Sequence, residues 1–358
     1  MAAIGNTGPR TSRRAAAFLR RLTPRKVSRS RTGETKAPGR SVVPGLVLTA
    51  GLLAVVLLVL HYDFSALRRT LGAVGGLGLG GTAAMNFLSV LLCAAAWRGL
   101  LAGRPGLSTF LWFRYARNSA ADLLGFIPAA GEFVALREMI RHGIECHLAA
   151  GILIADLTVQ LIAQIAFTMA GITLLLVLSP GGRLIGISLV GLGLLIAILV
   201  ALVSVQRLGV GRMLMGLARR ILPEALRGNS MAILELDARL RDTYADRRRV
   251  AVSTILHLAA WFTSIAEAEL ALSLMGASPG LKVVFVVESL VFGLRTAAFF
   301  IPGAWGVQEA GYILVGSAFG LAPETMLALT HVKRARELVV GVPVLIVGQA
   351  LSAFRPRG

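Results

Sequence analysis

The sequence predicts an all-α integral membrane protein, a multi-pass bundle of helices. Its 358 residues are 56% hydrophobic and 15% charged, and the mean hydropathy is +0.74. That composition is typical of membrane proteins, and a helix of about 20 apolar residues spans the hydrocarbon of a bilayer. Runs of that length recur along the chain without the alternation of barrel strands. The clearest runs are 41–60, 154–178 and 184–203, and weaker runs cover 75–96, 251–275, 281–301, 303–320 and 337–353.

The formal charge of +19 is concentrated in two segments of the chain. Residues 1–40 contain eleven Lys and Arg residues against Glu34 alone, and residues 206–250 contain ten Arg residues against five acidic ones. Short basic segments stay on the cytosolic side when a membrane protein inserts. We therefore expect a disordered basic tail over 1–40, a cytosolic loop over 206–250, and both termini in the cytosol. The expected location is the inner (cytoplasmic) membrane.

The transmembrane domain, residues 41–353, is expected to consist of two related halves, 41–180 and 181–353. In each half a Phe-Ile-Pro sequence follows the second span, at residues 126–128 and 300–302. If both segments belong to re-entrant helix pairs, the chain has about six full spans, and its halves have opposite orientations in the membrane. If both segments cross the bilayer, the chain has about eight spans.

The two Phe-Ile-Pro segments indicate a site for a lipid head group. Irregular backbone at membrane depth survives only where it is buried in protein or lines a polar cavity. A helix that begins there directs free N–H groups and its positive dipole end into the membrane, where they can hold an anionic group. The alternative is that the glutamates of these segments merely cap their helices, and that the nearby arginine belongs to an interfacial face. The candidates are Pro128, Glu132, Arg137, Pro302, Gly303, Gln308 and Glu309.

Several polar residues lie inside the predicted spans. Asp156 and the glutamines four and eight residues later form one stripe of a helix, which faces the bundle. Hydrogen bonds between helices account for the glutamines, whereas Asp156 and Glu267 are candidates for proton-sensitive supports of the site. Glu288 and Arg295 are seven residues apart, hence on one face of a helix, and we expect their charges to neutralise each other. Arg295 is thus a further supporting candidate.

The motifs of several enzyme classes are absent from the sequence. It contains no Walker lysine loop, no HExxH, no GxSxG and no DxxD-like acidic cluster, and we expect no cofactor and no metal. Cys93 and Cys146 lack the spacing of metal or redox motifs, which predicts small packing residues. No nucleic-acid-binding motif accompanies the positive charge, which instead favours contact with anionic lipid heads. An embedded lipid-modifying enzyme is therefore the least favoured class.

Three segments carry a family resemblance. NSAADLLGFIPAAGEFVALREMIRHGI, IADLTVQLIAQ and FFIPGAWGVQEAGYILVGSAFGL resemble the flippase-like family typified by the transmembrane region of lysylphosphatidylglycerol synthase, over about residues 42–352. Within that family the chain is most similar to the membrane proteins associated with hopanoid biosynthesis. Its AAGEF and GAWGVQEA segments depart from the commoner double-glycine form of the motif. The aminoacyl-transfer domain of the bifunctional relatives is missing, so the resemblance does not imply lipid aminoacylation.

The resemblance implies a lipid transporter that moves or presents a lipid across the inner membrane. The implied cargo is a hopanoid, which needs polar partners only for its hydroxyl groups. An anionic phospholipid would instead use the helix ends and Arg137. The alternative is a scaffold or accessory subunit that gathers lipid-biosynthesis enzymes through the basic tail and loop.

Overall fold

The computed structural model describes ten α-helices and, within the residues it describes, no β-strand. The described residues are 64–101, 105–125, 127, 129–178, 183–209, 230–298 and 306–354. The helices are α1 (Phe64–Leu100), α2 (Leu107–Leu123), α3 (Ala130–Arg141), α4 (Cys146–Leu178), α5 (Arg183–Leu208), α6 (Ser230–Ala245), α7 (Arg247–Leu274), α8 (Leu281–Ala297), α9 (Val307–Ala318) and α10 (Pro323–Phe354).

Four of the described helices are long and apolar enough to cross a membrane. The qualifying segments lie in α1, α4, α5 and α7, as the hydrophobic runs of the sequence predict. The predicted first span, 41–60, and the basic tail, 1–40, lie outside the described residues. Helix α10 contains the last predicted span, 337–353, but it also carries four charged residues just before that span or at its start, namely Lys333, Arg334, Arg336 and Glu337. The all-helical membrane fold is therefore confirmed, while the predicted total of about six or eight spans stays a prediction.

Each predicted break separates a pair of short helices. Helix α2 has 17 residues and α3 has 12, and the same lengths recur in α8 and α9. In the first pair, Trp112 Nε1 donates to Glu138 Oε2 over 3.1 Å, and Arg117 Nη2 donates to Glu132 Oε1 over 2.6 Å. The residue number rises from 112 to 117 along α2, while the number of the partner falls from 138 to 132 along α3. The two helices are therefore antiparallel. The pair is a helical hairpin, and Ile127 is a described residue of the turn between its helices.

The same arrangement of helices and of contacts between helices occurs twice in the described part of the chain. The order of long helix, hairpin and long helix occurs twice, as α1, α2/α3, α4 and as α7, α8/α9, α10. Helix α2 packs against α1 and α10, and its equivalent α8 packs against α7 and α4. Helix α3 contacts α4, and its equivalent α9 contacts α10. Helix α1 contacts α10, and its equivalent α7 contacts α4. Each hairpin is therefore held partly by the other half of the protein.

The equivalent helices α1 and α7 form the largest contact between the two repeats and run in opposite directions. Gly81 of α1 lies beside Leu270 of α7, whereas Cys93 lies beside His257. Since the equivalent helices are antiparallel, the two repeats have opposite orientations. This is the inverted repeat that the two Phe-Ile-Pro segments predict.

The outer surface of the bundle is apolar where lipid is expected. Val177 of α4 and Val190 of α5 are 73% and 75% exposed. Exposed apolar surface on this scale is typical of contact with a membrane. Helix α6, from the predicted cytosolic loop, instead buries Leu236 and Leu240 against the ends of α1 and α4.

Candidate functional site

A cavity of about 350 Å³ lies among α1, α2, α4, α7, α8, α9 and α10. Its wall is polar although the surrounding helices are largely apolar, and it draws on three of the four candidate spans. Amide and hydroxyl groups of Asn86, Ser89, Asn118, Gln160 and Gln308 contribute to the lining. So do five cations, Arg114, Arg117, Arg295, Lys333 and Arg336, and three carboxylates, Asp122, Glu267 and Glu337.

Helices α2, α4 and α7 meet at the carboxylate of Asp156. Arg114 Nη1 donates to Asp156 Oδ2 over 2.7 Å, and His257 Nε2 lies 2.7 Å from Asp156 Oδ1. The side chains of all three residues are at most 2% exposed. The guanidinium of Arg114 also stacks over Trp97, with 4.7 Å from Cζ to the ring centroid. These contacts fix Arg114 at the cavity wall, while Asp156 lies behind it.

Helices α8, α9 and α10 meet at the carboxylate of Glu288. Lys333 Nζ donates to both carboxylate oxygens, over 2.8 and 2.6 Å, and the Tyr312 hydroxyl donates to Oε1 over 2.7 Å. Lys333 Nζ also lies 5.2 Å from the ring centroid of Phe292. Glu288 is fully buried behind the wall, and Lys333 lines the cavity.

Four further ion pairs surround the same cavity. They join Arg117 to Glu132 at 2.6 Å, Arg336 to Glu267 at 3.1 Å, Arg334 to Glu337 at 3.0 Å and Arg295 to Asp122 at 3.7 Å.

The six pairs join six cations to six carboxylates, yet the wall of the cavity carries more cations than carboxylates. A buried charge is costly unless it is paired and hydrogen-bonded, which explains why each of these cations has a carboxylate partner. Three of the carboxylates, Asp156, Glu132 and Glu288, do not line the cavity, whereas their cationic partners do. The arrangement therefore presents guanidinium and ammonium groups to whatever enters the cavity.

Several predicted site residues meet at this cavity. Gln308, Glu267 and Arg295 line it, and Gln308 Oε1 is buried without a hydrogen-bond partner among the described residues. Asp156 and Glu132 do not line the cavity themselves. Each accepts a hydrogen bond from an arginine that does, Arg114 and Arg117 respectively.

Other predicted site residues lie elsewhere. Glu309 does not line the cavity: its Oε2 accepts a hydrogen bond from the Gly306 N–H over 2.9 Å and caps α9, and its Oε1 lies 3.7 Å from Arg334 Nη2. Arg137 is exposed on α3 and does not line the cavity. Pro128, Pro302 and Gly303 lie outside the described residues.

The expected pairing of Glu288 with Arg295 is wrong. Glu288 binds Lys333 and Tyr312, and Arg295 lies 3.7 Å from Asp122 of α2. Two helical turns separate the pair along the helix axis by about 10 Å, which exceeds a direct hydrogen bond. Partners on neighbouring helices lie closer, so each side chain pairs across a helix contact.

Sequence reasoning missed most of the cationic wall. The signals were present in the run 333–337, Lys-Arg-Ala-Arg-Glu inside a helix that is otherwise mostly apolar, and in Arg114 and Arg117 of α2. Ionisable residues in such segments usually face a bundle interior and mark a functional site. No sequence signal identified the neighbours of His257, because Cys93 and Asp156 are 164 and 101 residues away.

The fold and the cavity define a polytopic helical membrane protein with an inverted repeat and a charged, cation-lined site within the bundle. Residues 42–345 match the family described as the lysylphosphatidylglycerol synthase TM region, and the chain belongs to that family. No curated protein and no solved structure matches the chain. The narrower likeness to hopanoid-associated membrane proteins stays a prediction.

Proposed function

We propose that the protein transports a lipid with a phosphate-bearing head group across the inner membrane, and that the head group occupies the cation-lined cavity. The observation that carries the proposal is the placement of five cations on the wall, with Asp156, Glu132 and Glu288 behind their partners. Guanidinium groups bind phosphate through directed, charge-assisted hydrogen bonds. A phosphate that enters the cavity replaces its water shell with such donors.

The inverted repeat supports movement of the cargo rather than its static binding. In transporters with this symmetry, rocking of one repeat against the other opens a central site to each side in turn. Here both hairpins contribute to the cavity, through Arg117 of α2 and Arg295 of α8, and both contact helices of the other repeat. A change at the contact between repeats therefore alters access to the cavity.

The charge of the site favours a phospholipid over a hopanoid as cargo. The hydroxyl groups of a hopanoid need only a few neutral partners, and twelve charged side chains grouped in pairs exceed that need. Keeping ionised groups at membrane depth is costly, which favours a charged head group as their ligand. We place both termini in the cytosol, with membrane lipids as the direct partners.

Transport in reconstituted vesicles tests this proposal. We expect Arg117→Gln and Arg336→Gln each to slow movement of fluorescent phosphatidylglycerol at least about tenfold, since a hydrogen bond to a charged group contributes roughly 1.5–3 kcal/mol. Movement is followed by chemical quenching of the outer leaflet. Arg137→Gln is the matched control, because Arg137 is exposed and away from the cavity.

Two further comparisons make the transport result specific. The double variant Arg117→Gln/Glu132→Gln leaves no unpaired charge and should be as slow as Arg117→Gln. A fluorescent diacylglycerol, which has no phosphate, should gain no rate from the protein. Wild-type rates in both cavity variants, or equal acceleration of diacylglycerol and phosphatidylglycerol, would contradict a phosphate site.

A further inference from the structure

Cys93, His257 and Asp156 form a continuous chain of side chains at the cavity. Cys93 Sγ lies 3.6 Å from His257 Nδ1, and His257 Nε2 lies 2.7 Å from Asp156 Oδ1. Asp156 is itself held by Arg114 over 2.7 Å. Both Cys93 and His257 line the cavity.

This order of groups is the arrangement of an activated nucleophile. A thiol needs a base within hydrogen-bond reach, and the base needs a third group that fixes its orientation and tautomer. Here imidazole is the base and Asp156 orients it from the far side of the ring. The other cysteine, Cys146, is exposed and at the start of α4, and it does not line the cavity.

Arg114, beside the same cavity, has one N–H group without an acceptor in the part of the chain that the structure describes. Arg114 Nε is buried and has no hydrogen-bond acceptor among the described residues. The guanidinium is fixed by Asp156 and Trp97, and it lines the same cavity as Cys93. A preorganised N–H group of a cation can stabilise the oxyanion of acyl transfer.

We propose that Cys93 accepts a fatty acyl group from an ester-linked lipid that occupies the cavity. His257 takes the thiol proton, and the sulfur attacks the ester carbonyl carbon to form a C–S bond. The C–O bond of the ester then breaks, and the released lysolipid alcohol takes the proton from His257. Water hydrolyses the thioester, releases a fatty acid and restores the thiol.

The proposed function explains how the ester reaches the thiol. In a glycerophospholipid only the glycerol unit separates the phosphate from the acyl esters. A phosphate held by the arginines of the cavity therefore brings the esters into the part of the bundle where Cys93 lies. The acyl-transfer step depends on this lipid entry, so its test measures transport and acylation separately.

The test uses purified full-length protein in vesicles of phosphatidylglycerol with an alkyne-tagged acyl chain. After brief incubation we expect one tagged acyl group per chain, located on Cys93 by mass spectrometry and released by neutral hydroxylamine, which cleaves thioesters. Cys146→Ala should be labelled as the wild type is. Cys93→Ala, which retains Cys146, should carry no hydroxylamine-sensitive label. These two variants are matched, because the chain contains only two cysteines.

The variant His257→Gln tests the role of the base, and we expect its labelling to be about 100-fold slower. Its folding is checked by size-exclusion elution, and the wild-type label is informative even if this variant fails to fold. Absence of a labile acyl group on wild-type Cys93, or equal labelling rates in folded His257→Gln, would overturn the inference. Transport without acylation contradicts only this inference, whereas acylation without transport contradicts only the proposed function.

Discussion

At the scale of single residues, Glu288 shows how the protein keeps a carboxylate inside an apolar bundle. Its oxygens accept hydrogen bonds from Lys333 and from the Tyr312 hydroxyl, and its side chain is fully buried. Replacing a buried ion pair with apolar groups can be neutral, but removing one partner leaves an uncompensated charge. Loss of Lys333 alone should therefore destabilise the protein more than replacement of Lys333 and Glu288 together.

We expect Lys333→Met to lower the free energy of unfolding by about 3–5 kcal/mol, because Glu288 then remains buried without its cation. The double variant Lys333→Met/Glu288→Gln should recover part of that loss. The measurement is thermal unfolding in detergent, with Lys282→Met as the control, since Lys282 is exposed at the start of α8. A double variant no more stable than Lys333→Met would show that packing, rather than the unpaired charge, dominates.

At the scale of elements, the hairpin of α2 and α3 depends on a close backbone approach. A Cβ atom added at Gly131 would lie 2.7 Å from the carbonyl oxygen of Arg117 and 3.0 Å from the Cβ of Ala121. A contact of 2.7 Å with backbone cannot be relieved by a rotamer change, so the helices must separate. Arg117 and its partner Glu132 sit at this contact, which links the hairpin's geometry to the cavity wall.

We therefore expect Gly131→Ala to destabilise the protein and to slow phosphatidylglycerol transport, since separation of α2 from α3 displaces Arg117. Gly80→Ala is the control, because Gly80 lies in α1 and no atom approaches its added Cβ within 4 Å. That control should be neutral or more stable by up to about 1 kcal/mol, from helix propensity alone. Unfolding and transport are measured on the same preparations. Equal behaviour of the two variants would show that the close approach has no role.

The same hairpins show what local sequence predicts at the scale of elements. Pro and Gly mark both interruptions, and the paired lengths of 17 and 12 residues follow from their positions. A first-turn glutamate follows each interruption, and each one pairs with an arginine of another helix, Glu132 with Arg117 at 2.6 Å and Glu309 with Arg334 at 3.7 Å. Glu309 also accepts a hydrogen bond from the Gly306 N–H. The local sequence predicts the glutamate, and the packing of helices decides which arginine it meets.

At the scale of the whole molecule, the basic segments distinguish a transporter from a scaffold. Residues 1–40 carry eleven of the basic residues, whereas the described residues that line the cavity lie between 86 and 337. Each basic residue near an anionic membrane surface contributes about 1 kcal/mol of attraction. The charge of the tail is thus suited to contact with anionic lipid head groups.

We expect deletion of residues 1–40 to leave phosphatidylglycerol transport within about twofold of the wild-type rate, because all the cavity-lining residues that the structure describes are retained. A scaffold for lipid-biosynthesis enzymes should instead lose their co-purification. Both readouts are taken on one membrane preparation, with matched expression. Loss of transport on deletion, with normal insertion of the helices, would contradict a transport function that resides in the bundle.

The sequence by itself determined the helical membrane fold and the interruption between the short helices of each pair, and it offered opposite orientation of the two halves as one of two topologies. These properties follow from hydropathy and from the positions of Pro and Gly, which are readable along the chain. Tertiary structure alone decided which charges meet. Arg114 with Asp156, and Cys93 with His257, are pairs between helices 42 and 164 residues apart. Local periodicity indicates which face of a helix is buried, but only the packing of helices selects the partner across that face.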